Sequence, residues 1–261
     1  MFTDKDWIVF YEEISRKLGI NRFMDYEATR LLSKFLSNIY QPIDFVKRII
    51  SGNNVFVFGA GPSLINHIIL FKNLMKEVNK KPIIISADGA TRALLDHGII
   101  PDIVVSDFDG GLDVLVKAGR EGSVLVLHSH GDNIDLIYEA MPKLLRITKM
   151  IIGTTQVYPT YGLYNFGGFT DGDRAVYLAV RLNAFSIVLA GMDFGDMIGR
   201  YSKPWMKKDL PINHRKKLKL EFGKKLISLI ACSFRSKIYS LSNIGIECVE
   251  EFNRSILNNI I

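Results

Sequence analysis

The sequence lacks the features of membrane-bound or disulfide-stabilised proteins. Only two cysteines, Cys232 and Cys248, occur among its 261 residues, and neither has the spacing of a metal-binding motif. We expect both to be free thiols in a reducing compartment. No apolar run approaches the roughly 20 residues of a membrane-spanning helix, and the first residues lack the basic and apolar stretches of a signal peptide. These absences predict a cytoplasmic protein without membrane contacts.

Internal repeats, low-complexity segments and linker-like stretches are also absent, which is typical of one compact unit. With 48% hydrophobic residues, the chain is long enough to bury one sizeable core. Three amphipathic segments precede the first apolar strand, and none carries a cluster of acidic residues or histidines. We therefore predict an N-terminal helical extension, residues 1–52, followed by one catalytic α/β domain, residues 53–261.

The net charge of +6 is compatible with a polyanionic ligand but does not require one. Much of the excess lies in residues 200–225, where basic residues are not interleaved with aromatic ones, so nucleic acid is not favoured as a partner. Lys203, Lys207, Lys208 and Arg215 are candidates for stabilising phosphate charge if this segment closes over a site.

Short β-branched apolar runs alternate with helical segments along the chain, which predicts a doubly wound, mostly parallel, Rossmann-like α/β sheet. In such a sheet, ligands bind outside the carboxyl ends of the strands.

A predicted second helix covers residues 26–40. The fourth predicted strand, residues 123–127, ends just before His128.

Three carboxylates follow two neighbouring predicted strands. Asp88 comes after the run 82–85, and Asp107 and Asp109 come after the run 103–105. Residues two apart in extended chain point to the same face, where two carboxylates repel each other unless a cation lies between them. Magnesium, which prefers oxygen ligands, fits this position. Taken alone, DFDG also fits a solvated turn that caps the next helix, but three carboxylates at two strand ends favour the metal.

A glycine-bearing turn, GAGPSL at residues 59–64, follows the first predicted strand. The glycines permit a tight turn, and the amides of the following helix can bind an anion. The turn lacks the third glycine of a dinucleotide fingerprint and the Gly-Lys-Ser/Thr of a P-loop, so alone it fits an ordinary strand-to-helix turn equally well. The predicted nucleotide contacts are Gly59, Ala60, Gly61, Pro62, Ser63, Ser86, Asp88 and Gly89.

Three further stretches carry candidate site residues. His128 and His130 are candidate catalytic residues: they can donate to phosphate oxygens or position a substrate alcohol, or they can simply satisfy loop carbonyls. The aromatic residues of segment 158–168 can line a planar pocket or pack in the core. Asp193, at another strand end, can accept two hydrogen bonds from an aminopyrimidine edge.

The stretch SADGATRALLDHGIIPDIVVSDFDG, residues 86–110, resembles the signature of thiamine pyrophosphokinases. The order of motifs from Asn54 to Gly195 is more similar to the archaeal 6-hydroxymethyl-7,8-dihydropterin pyrophosphokinase family. Both families transfer diphosphate from ATP to the alcohol of a heterocycle with magnesium. The resemblance implies Mg²⁺ as cofactor, ATP and a hydroxymethyl-dihydropterin as substrates, and AMP and the pterin diphosphate as products.

The same resemblance implies roles for particular residues. Asp132 becomes a third metal ligand beside the catalytic pair Asp107 and Asp109, and Asp171 and Asp173 of the TDGDR motif become substrate ligands with Asp193. Which of these aspartates binds the pterin ring stays open. Whether the protein forms a homodimer also stays open.

Two other enzymatic functions and one binding function also stay open. Thiamine can replace the pterin as acceptor, and a nucleotide-sugar-dependent glycosyltransferase-like domain can share the GxGPSL turn. A transferase of that kind would not need DFDG and TDGDR together. A module that only senses a nucleotide predicts an incomplete set of metal ligands, whereas this sequence contains the carboxylates.

Overall fold

A computed structural model describes residues 4–159 and 162–253 of the chain. In chain order its elements are α1 Asp4–Leu18, α2 Arg22–Leu36, α3 Ile43–Ile50, β1 Asn54–Phe58, α4 Leu64–Leu74, β2 Ile83–Ala87, α5 Ala90–Asp96, β3 Ile103–Ser106, α6 Leu112–Arg120, β4 Val124–Ser129, a 3₁₀ turn Gly131–Asn133, α7 Ile134–Ile147, β5 Ile151–Thr155, α8 Asp171–Arg181, β6 Ser186–Ala190, β7 Met197–Ile198, β8 Leu210–Pro211, α9 His214–Ser233, β9 Lys237–Ser240 and β10 Val249–Glu251. None of these helices has both the length and the apolar composition that crossing a bilayer requires.

Eight strands form one sheet in the order β10-β9-β6-β1-β2-β3-β4-β5. Every pairing within this sheet is parallel. The chain begins in the middle with β1, proceeds to one edge through β5, and then builds the other side with β6, β9 and β10. The predicted doubly wound parallel sheet is therefore confirmed. A short antiparallel pair, β7 and β8, forms a separate two-stranded sheet.

Alternating side chains of β1 show how both faces of the sheet are covered. Val55 and Val57 pack into the core formed with α1, α3, α8 and α9. Phe56 and Phe58 point the other way and pack against α4 and α5. Towards the β5 edge, Leu125 faces α2, α6 and α7. Strands buried on both faces require apolar residues at every position, which is why they appear in the sequence as continuous apolar runs.

The helices of the predicted N-terminal extension share the core of the sheet. Trp7 and Tyr11 of α1 are each 2% exposed and lie in the same cluster as β1 and α8. Helix α2 begins four residues earlier than predicted because Asn21 caps it, accepting a hydrogen bond from the Phe23 amide at 3.1 Å. The boundary between residues 52 and 53 stays a prediction, although the segments on its two sides pack together.

The expectation of free thiols is wrong. Cys232, near the end of α9, forms a disulfide with Cys248, which precedes β10. The chain after α9 forms β9 and then returns along the helix, which places the two Cα atoms 5.2 Å apart, within the range of disulfides. The sequence spacing alone does not reveal this return. Directly after Cys248, residues Val249–Glu251 form the edge strand β10.

Candidate active site

A cavity of about 530 Å³ opens at the carboxyl ends of the strands. Residues directly after six neighbouring strands line it, in sheet order Gly191 after β6, Gly59 after β1, Asp88 after β2, Asp107 after β3, His130 after β4 and Gln156 after β5. The site therefore lies at the edge of the sheet where parallel α/β proteins bind their ligands.

Asp88, Asp107 and Asp109 form an acidic cluster in the middle of this cavity. Each has a carboxylate oxygen within 4.8 Å of the others. The Ser106 hydroxyl and the Gly110 amide donate to Asp88 Oδ1 at 2.7 and 2.9 Å, so the loop after β3 folds back over the end of β2. A Cβ atom at Gly110 would lie 2.6 Å from that oxygen, which explains the glycine after DFD.

The cluster carries an excess of negative charge. Burial raises the pKa of Asp88, and the neighbouring charges of Asp107, Asp171 and Asp109 raise it further. Such mutual repulsion disfavours three ionised carboxylates in the absence of a cation.

Cations already lie close to part of the cluster. Burial acts to raise the pKa of Asp107, but the hydrogen bond from His130 and the nearby charges of Lys203 and Arg174 hold that pKa below its usual range. The Lys203 ammonium pairs with Asp109. His130 Nε2 lies 3.2 Å from Asp107 Oδ2.

The histidine is held in one orientation by its second nitrogen. The backbone amide of Asp132 donates to His130 Nδ1 at 3.2 Å. Nδ1 is therefore the acceptor, which leaves Nε2 to carry the proton and donate to Asp107.

The acidic cluster fits a hard divalent cation such as Mg²⁺, which takes oxygen ligands from carboxylates. The residues of this cluster are not the same as the predicted metal ligands, which were Asp107, Asp109 and Asp132. The Asp132 side chain is 75% exposed and lies 3.9 Å from Arg215, so the structure places it at the rim. Asp88, predicted to contact the nucleotide, lies with Asp107 and Asp109 as the order of the strands indicated, because β2 and β3 are neighbours in the sheet.

The glycine turn after β1 forms one end of the cavity. Residues 59–62 line it, whereas Ser63 turns away. The Ser63 amide and hydroxyl donate to Asp193 at 2.9 and 2.6 Å, and the Ser242 hydroxyl donates to the same carboxylate at 2.7 Å. Asp193, predicted as a substrate ligand, lines the cavity and also anchors the glycine turn to the loop after β6.

Two of the predicted site residues lie behind the cavity wall. Ser86 is fully buried within β2, and its hydroxyl lies 2.8 Å from the Thr91 hydroxyl. His128 is 2% exposed, with Nδ1 3.0 Å from Thr154 Oγ1. The reason is that β4 continues to Ser129, so His128 is a strand residue that faces the core. Burial lowers the pKa of His128 well below its usual value, so it is neutral.

The two aspartates of TDGDR have different positions. Asp171 lines the cavity, 3.6 Å from the Arg174 guanidinium. Asp173 does not reach the cavity: its carboxylate accepts from the Phe169 and Thr170 amides at 2.6 and 2.7 Å. With Thr170 it forms the capping box of α8. The motif thus combines a helix start with one side chain directed at the site.

The aromatic segment contributes little to the cavity. Tyr164 and Phe166 stack on each other with ring centroids 5.7 Å apart and pack against the core. Residues 160 and 161 lie outside the described residues. Phe169, just beyond the predicted segment, lines the cavity, and so does Phe194 in the loop after β6.

Sequence reasoning missed the side chains that enclose the β4 and β5 end of the cavity. The turn between α1 and α2 contributes Ile20 and Asn21, and the first turn of α2 contributes Met24 and Asp25. The first turns of α9 contribute Arg215, Lys216, Lys219 and Leu220. Arg215 was the exception, since it was a candidate with Lys203. Lys207 and Lys208, the other candidates, are exposed and do not line the cavity.

A buried chain of hydrogen bonds links α1 to the cavity. The Tyr11 hydroxyl donates to Asp25, the Gln156 amide group donates to Asp25 at 2.7 Å, and Arg174 donates to Gln156 Oε1 at 3.0 Å. The Gly131 amide also donates to Asp25 at 2.6 Å. Burial raises the pKa of Tyr11 above its usual value, and its bond to Asp25 adds to the rise. This Tyr11–Asp25–Gln156–Arg174 chain fixes the orientation of Arg174.

Comparison with known proteins bears on this site. A family model described as "6-hydroxymethylpterin diphosphokinase MptE-like" matches residues 30–199. Proteins named 6-hydroxymethyl-7,8-dihydropterin pyrophosphokinase are similar along most of their length. The Methanocaldococcus jannaschii protein is 44% identical over 87% of this chain and 95% of its own. The Pyrococcus furiosus protein is 40% identical over 91% of this chain and 98% of its own.

Among solved structures, the MAf glycosyltransferase from Magnetospirillum magneticum AMB-1 has a similar fold. The TM-score is 0.53 at 15% identity, and the match covers 83% of this chain but 39% of that one. At this identity the likeness extends to the fold alone.

Proposed function

Since the chain belongs to the family of MptE-like 6-hydroxymethylpterin diphosphokinases, we propose that it transfers diphosphate from ATP to 6-hydroxymethyl-7,8-dihydropterin in a magnesium-dependent reaction. The products are AMP and the pterin diphosphate. The observation that carries the proposal is the cluster of Asp88, Asp107 and Asp109 at two neighbouring strand ends, beside a glycine turn in the same cavity.

The nucleoside of ATP is assigned to the end of the cavity after β1 and β6. The strand order reverses between these two strands, and nucleotides bind at such switch points of open parallel sheets. Residues 59–62 supply backbone there at the start of α4, where free amides favour phosphate oxygens. Asp193 keeps this turn in place through Ser63.

The acidic cluster is assigned to Mg²⁺. The ion would be held by Asp88, Asp107 and Asp109, and it would neutralise charge on the phosphates during transfer. Lys203, paired with Asp109, places a second positive charge beside the same oxygens. His130 keeps Asp107 ionised and oriented through its hydrogen bond.

The pterin is assigned to the other end of the cavity, after β4 and β5. Met24 and Phe169 offer apolar surface for a flat ring, and Gln156 and Arg174 offer polar groups at its edge. A small-molecule pocket usually combines such surfaces with a few placed polar groups.

In the proposed step, the hydroxymethyl oxygen of the pterin forms a bond to the β-phosphorus. The bond from that phosphorus to the oxygen bridging the α-phosphate breaks, and its electron pair leaves with AMP. The hydroxyl proton is released. Little covalent chemistry is required of the protein, so holding the alcohol in line and neutralising charge supply most of the rate enhancement.

A product analysis tests this proposal. The purified protein is incubated with ATP and either hydroxymethyl-dihydropterin or thiamine, with and without Mg²⁺, and the phosphorus products are resolved by NMR and chromatography. We expect AMP and pterin diphosphate in equal amounts, and only with the metal. ADP with a pterin monophosphate, hydrolysis of ATP with the pterin unchanged, or a preference for thiamine would each contradict the proposal.

A further inference from the structure

The first turns of α9 direct positive charge into the cavity. Arg215, Lys216 and Lys219 all line it. Phe169 lies just before α8, and the Lys219 ammonium is 5.8 Å from the centroid of its ring. The alkyl stem of Lys219 therefore passes along the apolar part of the cavity wall. These residues lie beyond position 199, where the match to the family model ends.

These cations have little negative charge to balance them. Within residues 4–159 and 162–253, neither Lys216 nor Lys219 has a carboxylate within 4.0 Å, and Arg215 has only Asp132, at 3.9 Å. Burial lowers the pKa of Lys219. A partly buried group of like charges is unfavourable unless an ion of opposite charge binds among them.

The outer face of the same helix shows the opposite pattern. Lys217 lies 3.3 Å from Asp196, and Lys225 lies 3.8 Å from Glu13. Three lysines of α9 have no carboxylate within 4.0 Å among the described residues: Lys216 and Lys219 face the cavity, and Lys224 does not line it. The two unpaired lysines inside the cavity favour an anionic ligand there.

The position of this group indicates which anion it binds. Arg215 ties α9 to the loop after β4 through Asp132 and to the end of α1 through the Leu18 carbonyl, at 2.8 Å. β4 is three strands from β1 in the sheet, a distance of about 14 Å at the usual strand spacing. The charge of Asp107 acts on Lys219, so Lys219 lies on the side of the acidic cluster, while Lys217 ties the same helix to the loop after β6.

We infer that Lys216 and Lys219 bind the terminal phosphates of the nucleoside triphosphate, the diphosphate group that is transferred. This inference rests on the proposed function, because it takes the nucleoside to lie after β1 and β6. With the nucleoside there and the metal at the acidic cluster, the β- and γ-phosphates are the anionic groups that extend towards α9. The helix would then distinguish a triphosphate from AMP, which must leave after transfer.

Binding measurements without the acceptor test the inference separately from catalysis. Lys219→Met keeps the alkyl stem on Phe169 and removes the charge. Calorimetry with ATP and with AMP, both with Mg²⁺, should show ATP binding weakened roughly tenfold to a hundredfold, the value of one charged hydrogen bond. AMP binding should be unchanged. Lys219→Arg should restore most of the affinity for ATP.

Lys217→Met is the matched control, because it removes a charge from the same helix on its outer face and should alter neither affinity. Equal losses for ATP and AMP in Lys219→Met, no loss for either, or a loss only for the pterin would overturn the inference. If the wild-type protein produces AMP and pterin diphosphate while Lys219→Met binds ATP normally, the inference fails and the proposed function stands. If the wild-type protein does not bind ATP at all, the proposed function itself fails.

Discussion

The two ends of the cavity are built in different ways. The end after β1 and β6 is formed by backbone: a glycine turn lies against the loop after β6, and Asp193 holds the two together. The end after β4 and β5 is formed by side chains from three distant segments, the α1–α2 turn, Gln156 and α9. The difference indicates that a short motif can shape the end proposed for the nucleotide, whereas the end proposed for the acceptor requires the complete tertiary structure.

The two ends also differ in charge. Lysine and arginine side chains concentrate at the β4 and β5 end, and the acidic cluster lies between the two ends. A polyphosphate that spans the cavity would pass from backbone amides, across a metal, to cations. The order of these groups follows from the order of strands, so variants at each position should affect different parts of the substrate pair.

The largest effect is expected at the acidic cluster in the middle of the cavity, where both substrates would meet in the proposed reaction. Asp107→Asn removes one charge from the acidic cluster, so turnover should fall about 10²–10³-fold, the usual cost of losing one electrostatic contact to a transition state. Steady-state kinetics at several Mg²⁺ concentrations checks this. Because neighbouring groups hold the pKa of Asp107 below its usual range, its charge contributes to the stability of the folded protein at neutral pH, so the variant should also unfold at a lower temperature than the wild type.

Asp113→Asn is the control, since Asp113 pairs with Arg92 at 2.9 Å outside the cavity. If Asp107→Asn retains wild-type turnover at limiting magnesium, DFDG is only a structural turn and the proposed metal site is wrong.

A smaller and more selective effect is expected at the nucleotide end. A Cβ atom at Gly61 would lie 2.6 Å from the Gly191 carbonyl and would also meet Asp193. Gly61→Ala should therefore displace the turn and weaken ATP binding roughly tenfold, given the usual cost of overpacking. Pterin affinity should be unchanged. Calorimetry with each ligand measures both.

Gly195→Ala provides a control in the loop after β6, because a Cβ atom there meets nothing within 4 Å. Equal loss of both ligands in Gly61→Ala, at unchanged stability, would show that the two ends do not act separately.

Particular residues show how far the sequence alone could lead. The strands, their parallel arrangement and the position of Asp107 and Asp109 follow from apolar runs and from the rule that sites form at carboxyl ends. The same rule placed Asp88 beside them at the end of a neighbouring strand, although its predicted role was a nucleotide contact. The apolar runs could not place His128, since β4 ends two residues later than predicted and His128 is buried as a strand residue.

Long-range packing set the remaining limits. Asp25 and Lys219 lie on amphipathic helices whose polar positions look solvated in the sequence. Only the packing of α2 on β5, and of α9 on α8 and α1, brings them to the cavity. The bond between Cys232 and Cys248 depends in the same way on the return of the chain along α9.

The smallest predicted effect tests the acceptor end through a residue that does not line the cavity. Tyr11→Phe removes the hydroxyl that donates to Asp25, and Asp25 in turn accepts from Gln156, the partner of Arg174. Loss of one buried hydrogen bond should lower the free energy of unfolding by about 1 kcal/mol. If the Tyr11–Asp25–Gln156–Arg174 chain orients Arg174 for the pterin, the KM for pterin should also rise roughly two- to fivefold, equivalent to about 0.5–1 kcal/mol. The KM for ATP should stay constant.

Tyr138→Phe, at a side chain 70% exposed on α7, should change none of these quantities. A purely structural role for Tyr11 predicts the loss of stability without the change in KM for pterin, and that outcome would remove the reason for assigning the pterin to this end of the cavity.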